Sequence, residues 1–103
     1  MIIAKLVERV KELLVILSLT ENVMVNEISD DYFSVYIENR NFFTIIRNSM
    51  IKKRQFGEET VEYRYFANYK DKYVPALNTK NENDILKIVD HWIKKEIEER
   101  RLG

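Results

Sequence analysis

The chain has 103 residues, 46% hydrophobic and 33% charged, with 17 basic and 17 acidic side chains and a single histidine. This is apolar mass for one core and enough charge to keep the surface wet, unlike a disordered tail, at a size where folding buries roughly 60–70% of the unfolded surface. The lack of cysteine excludes disulfides, thiolate chemistry and cysteine-bound metal centres, and two glycines are too few for a glycine-rich phosphate loop.

The first segment places Ile3, Leu6, Val7, Val10, Leu13, Leu14 and Leu17 at three- and four-residue steps, with Lys5, Glu8, Arg9, Lys11 and Glu12 on the other side. This is the spacing of an amphipathic helix. Ile2, Val15 and Ile16 widen the apolar stripe, so a second contact, such as a partner subunit, is expected. The same charges interrupt any secretory signal, and the uncharged run from Leu13 to Thr20 falls far short of the ~20 residues of a membrane span. A cytoplasmic protein with no membrane anchor is the expectation.

From Asn22 the period changes to two. Val23 and Val25 alternate with Met24 and Asn26; after Ser29-Asp30-Asp31, Phe33, Val35 and Ile37 alternate with Tyr32, Ser34 and Tyr36. Two strands joined by a turn follow. Asn39-Arg40-Asn41 predicts a second turn, because Asn tolerates left-handed backbone, with a third strand from Phe42 to about Ile51. Phe56-Gly57-Glu58-Glu59 precedes a long fourth strand in which Val61, Tyr63, Tyr65, Ala67 and Tyr69 share one side. Lys70-Asp71-Lys72 predicts the last turn, and Tyr73 to Leu77 a short strand that Pro75 confines to an edge. Thr79-Lys80-Asn81-Glu82 has the form of a capping box, so the final helix is predicted from Lys80, with Ile85, Leu86, Val89, Trp92, Ile93 and Ile97 as its core face.

With no repeat, low-complexity tract or linker, one domain spanning 1–103 is expected. Its class is α+β: a two-layer sandwich in which an antiparallel five-strand meander is flanked in sequence by an N-terminal and a C-terminal helix, both packed on one face.

Catalytic signals are weak. His91 is the sole imidazole, so a Ser-His-Asp triad would have to use it, and no second imidazole or thiol exists to complete a common zinc site; beside Trp92 on the last helix it reads as a surface side chain. Asp30-Asp31 and Glu58-Glu59 flank strand ends, where acids satisfy turn backbone. Glu8 and Glu12, then Asp30 or Asp31, then Glu38-Asn39-Arg40 are similar in order to the acidic residue and acid-x-lysine pair of the restriction-endonuclease-like nucleases. Arg40 stands where that pattern has lysine, and the helix expected after the third strand is missing. No cofactor, metal or catalytic residue is assigned.

Charge is uneven along the chain: residues 1–39 carry three basic and seven acidic groups, residues 40–73 eight and four, and residues 74–103 six and six. Eleven of the twelve aromatic residues lie between Tyr32 and Tyr73. Alternate strand residues must point away from the helices, so an aromatic open face is expected, with Tyr32, Tyr36, Tyr63, Tyr65 and Tyr69 as its candidates. Tyr-rich patches are favoured at protein interfaces. A non-enzymatic binding protein, self-associating as a homodimer and engaging a protein partner, is the leading expectation. The alternative is single-stranded nucleic-acid binding, in which rings stack on bases and Arg47, Lys52, Lys53, Arg54, Arg64, Lys70 and Lys72 neutralise phosphates. A small metal-dependent nuclease is the third reading.

Overall fold

The computed structural model describes residues 2–17 and 23–102, apart from the side chains of residues 12–14, 16–17, 28 and 101–102. Helix α1 (Ile2–Leu17) precedes strands β1 (Val23–Ser29), β2 (Tyr32–Ile37), β3 (Arg40–Lys53), β4 (Glu59–Tyr69) and β5 (Leu77–Thr79), and helix α2 (Glu82–Leu102) closes the chain. Every strand pairs antiparallel with its sequence neighbour, in the order β1-β2-β3-β4-β5. The protein is thus an α+β arrangement of a five-strand meander with a helix at either end of the sequence.

The register fixes which residues meet the helices. Val25 pairs with Val35, Val35 with Phe43, Phe33 with Ile45, and Ile45 with Ala67, which sets one continuous apolar face across four strands. Against it pack Ile2, Leu6 and Val10 of α1 and Ile85, Leu86, Val89, Trp92, Ile93 and Ile97 of α2, all buried in one cluster. Trp92 lies 5.9 Å from Phe43 and 5.0 Å from Tyr69 between ring centroids, within the range where aromatic pairs attract. The helices run side by side in the same direction, with Lys5 bonded to Glu82 at 2.6 Å and Arg9 to Asp90 at 3.0 Å. Both therefore cover the same side of the sheet. Leu13, Leu14, Ile16 and Leu17, which extend the predicted α1 stripe, have side chains outside the described residues. Val15 is largely exposed.

Four boundaries differ from the sequence-based expectation, each for a local reason. The second turn is Glu38-Asn39, not Asn39-Arg40-Asn41: both residues take positive φ (51° and 64°), the two-residue hairpin geometry whose twist matches the flanking strands. Strand β3 accordingly starts at Arg40 and makes a bulge where Val35 faces Phe43 and Tyr36 faces Asn41. The bulge puts Phe42 and Phe43 on the same side, with ring centroids 5.3 Å apart, so both enter the core.

Tyr73 to Ala76 are not a strand. Tyr73 and Val74 are exposed and Pro75 has no N–H to donate, so ladder bonding resumes only when the Ala76 N–H reaches the Ala67 carbonyl at 2.8 Å, and β5 is Leu77–Thr79. The start of α2 is capped by Asn81, whose Oδ1 accepts from the Asn83 N–H at 2.9 Å. Thr79 acts one step earlier, accepting from the Asn81 N–H at 3.1 Å and donating to Asp84 Oδ2 at 2.9 Å. Its short hydroxyl serves the entry loop, and the helix begins at Glu82. Finally, β3 runs past Ile51 to Lys53, because β4 pairs with it as far as Glu59.

Candidate functional site

The strands are unequal, and this creates two uncovered surfaces. Strand β2 stops pairing with β3 at Ile46, and β5 stops pairing with β4 at Tyr65. Beyond those positions β3 and β4 continue alone as a two-stranded arm, from the Asn48–Arg64 pair to the Lys53–Glu59 pair. At ~3.3 Å per residue the arm projects ~20 Å. Its tip turns through Arg54 to Glu58, with the Arg54 N–H on the Glu58 carbonyl at 2.8 Å and Gly57 at φ +80°, where a side chain would be strained. The molecule is correspondingly long, 59 × 21 × 21 Å.

The first surface is the open face of the sheet, opposite the helices. It carries Met24, Tyr32, Tyr36, Ile46 and Phe66 among polar Asn26, Ser34, Thr44, Arg64 and Asn68, as the alternation with the buried set requires. Ser34 is the unusual member. It lies opposite Asn26 on one side and Thr44 on the other, with Tyr32 and Tyr36 two residues away on the same strand and face. It is 0% exposed, and its Oγ has no hydrogen-bond partner among the described residues. A hydroxyl buried without a partner costs about 1–3 kcal/mol, so such groups call for a physical reason.

The second surface is the arm. On its helix-side face Ile51 pairs with Val61 and Ser49 with Tyr63; Met50 is on the reverse and Phe56 at the tip. Ile51 is 64% exposed, Val61 53% and Phe56 92%. Lys52 and Lys53 on one strand and Glu59 and Glu62 on the other charge its two edges, a usual safeguard against edge-to-edge pairing.

Among the five tyrosines expected on an aromatic open face, the register divides the set. Tyr32 and Tyr36 are on that face and partly exposed. Tyr63, Tyr65 and Tyr69 alternate onto the helix side: Tyr65 is buried, Tyr69 packs against Trp92, and Tyr63 lies under Arg47 at the base of the arm. Burial, with Glu82 adding to it, pushes the Tyr65 phenol above its ordinary pKa. Phe66, Met24 and Ser34 belong to the open face without having been singled out; the signal for them was the alternation itself, once β4 and β2 are placed in register.

The seven candidate cations do not form one patch. Arg47, on the helix side, donates to Asp31 at 2.8 Å, which pushes its guanidinium pKa further up. Lys52 on the opposite face lies 3.0 Å from Glu62, and this bond holds the Glu62 carboxyl below its ordinary range. Arg64 donates to Asn78 Oδ1 at 2.8 Å. Lys53 and Arg54 are at the arm tip, whereas Lys70 and Lys72 flank the Tyr69 ring at the far end of β4, ~30 Å away by strand rise.

Nor do the acids of the nuclease-like pattern meet. Glu8 bonds Lys11 on α1, Asp31 bonds Arg47 at one end of β2, and Glu38 is in the turn at the other end; the Glu12 side chain is outside the described residues. Among the described residues no group of three His, Asp or Glu side chains is placed to hold a metal ion. His91 is exposed on α2, and no described helix is long and apolar enough to cross a membrane.

At the turn end, Glu38, Arg40, Lys70, Asp71, Glu96 and Arg100 line an open depression of about 900 Å³ whose charges are mixed in sign. Asn41 ties its rim together, accepting from the Asp71 N–H at 3.3 Å and donating to Thr44 Oγ1 at 2.9 Å. Comparison with known proteins finds no family model, no curated protein and no solved structure that matches this chain.

Proposed function

We propose that the chain is a non-catalytic protein-interaction module that self-associates and engages a protein partner through the open face of its sheet. The observation that carries this reading is Ser34: a fully buried hydroxyl with no partner among the described residues, centred among Tyr32, Tyr36 and Thr44 on the side the helices leave bare. Ser34 is covered by its neighbours, and a partner that shifts the Tyr32 or Tyr36 ring gains a hydrogen bond to a hydroxyl already desolvated. Tyrosines that are partly exposed, apolar in body and polar at the tip suit such a contact.

The test is retention of proteins from the native host on immobilised wild-type chain, compared with Tyr32→Ala/Tyr36→Ala, Ser34→Arg and, on the helix side, Lys87→Ala. The reading expects a partner held by wild type and by Lys87→Ala but lost by both open-face variants. Equal retention on all four would overturn it. Single-stranded nucleic-acid binding is the competing reading, and it requires oligonucleotide binding that weakens steeply with salt. Because the cations lie on both faces and at both ends of β4, no such binding is expected in a salt-titrated shift assay.

A further inference from the structure

We infer that the β3–β4 arm is a dimerisation clasp, in which the arms of two copies of this chain stack antiparallel, helix-side face to helix-side face, around the Ile51–Val61 pair. The inference rests on the self-association part of the proposed function and gives it a location.

The helix layer ends where the arm begins. Helix α2 starts at Glu82, level with Tyr65, and Lys5 of α1 is bonded to that same Glu82. From there both helices run toward the opposite end of the sheet. The arm's helix-side face is therefore a bare ledge beside a step about one helix, or 10 Å, high. A second two-stranded layer stacks at ~10 Å, so an identical arm has the thickness that fills the step.

The surface area agrees. The chain exposes 7173 Å², against ~6,100 Å² for a compact monomer of its mass. Its radius of gyration is 15.7 Å, against ~13 Å for a compact domain of this length. The excess, about 1,000 Å², is surface that the uncovered arm adds on its faces and edges, and a second copy on the helix-side face covers part of it. An isolated two-stranded hairpin is marginal in water, and stacking two of them supplies the cover each lacks.

Charge fits the antiparallel orientation. A two-fold axis through the Ile51–Val61 pair sets Ile51 on Ile51 and Val61 on Val61 of the other copy. Lys53 then faces Ser49, and Glu59 faces Tyr63, so no like charges oppose. The same operation carries each tip to the base of the other arm, where Arg54 meets the acidic first turn of α2, Glu82 and Asp84. Phe56 is carried with it against the ends of the helices. The charged edges disfavour the alternative of joining the arms strand to strand.

The chain has no cysteine, so single introduced thiols report proximity cleanly. Sedimentation velocity of the full chain should show a dimer, and Ile51→Lys/Val61→Lys should raise its dissociation constant by at least ~30-fold, as loss of central interface residues does. Trp92 fluorescence checks that this variant keeps the core. Independently, Ile51→Cys should give covalent dimer with a short bis-maleimide, and Met50→Cys, on the reverse of the same arm, should not. A dimer that survives Ile51→Lys/Val61→Lys, or that cross-links equally through Met50→Cys, overturns the clasp and leaves self-association standing. A chain that stays monomeric at the highest attainable concentration overturns both.

Discussion

Arg47 bonds Asp31 through its Nε at 2.8 Å while its guanidinium carbon sits 4.3 Å from the centroid of the Tyr63 ring. One side chain thus ties the β1–β2 turn to the first residues of the arm, and the Arg47 N–H also donates to the Asp31 carbonyl at 2.9 Å. Asp31→Asn removes the charge but leaves the backbone bond. It is expected to lower global stability by only about 0.5–1 kcal/mol, since the carboxylate is more than half exposed. Arm amides should lose protection more than core amides do. Hydrogen exchange at residues 48–53 and 59–63 checks this, and a uniform loss across the sheet would contradict it.

Ser34→Ala should stabilise the isolated chain. The substitution removes a buried hydroxyl that has no partner among the described residues, and a gain of about 1 kcal/mol in urea unfolding is expected. The same variant should bind its partner more weakly, because the covered hydroxyl beside the two tyrosines is gone. A loss of stability would mean that the hydroxyl already has an internal partner.

The turn formed by Lys70 and Asp71 has φ of 51° and 56°, a conformation that costs an L-residue roughly 1–2 kcal/mol. Asp71→Gly relieves part of that and is expected to raise the unfolding midpoint, with a gain of about 0.5–1 kcal/mol after the added entropy of the unfolded chain. Asp71→Val should move it in the opposite direction. Thermal unfolding of the two variants beside wild type is sufficient.

Tyr65 supplies a pH dependence. Burial raises its folded-state pKa above the ordinary 10.0, so at alkaline pH the unfolded chain releases this proton first. Stability from Tyr65 is complete below pH 10 and is lost as pH rises through the folded-state value. Tyr65→Phe should flatten the fall in melting temperature above pH 10, leaving neutral-pH stability nearly unchanged. An identical alkaline slope in the variant would show that other groups carry it.

Much of the fold was legible because its signals are periodic. The three-and-four spacing of α1, the alternation around Phe33 and Val35, and the α2 stripe from Ile85 to Ile97 each report one buried face, and the helices cover that face. Local chemistry that depends on backbone sign was not legible. Glu38 at positive φ has no propensity signal, and the bulge that turns Phe42 inward breaks the alternation on which strand reading depends. The split of the tyrosines follows from this limit, because face assignment needs the pairing between strands as well as the period within one. The arm was hidden for a related reason: its length is the difference between where β3–β4 pairing ends and where β2 and β5 stop, and only the register contains that difference.

The sheet is assembled entirely from sequence neighbours, whereas α1 reaches its site across 77 positions, from Lys5 to Glu82. Local pairings form early and distant ones late, because each loop must lose its freedom before the contact rewards it. The meander and α2 can therefore condense first and offer a partly naked hydrophobic layer to which α1 docks last. By the same ordering α1 is expected to separate first, so limited proteolysis of the full chain should cut at its first helix before it cuts the sheet.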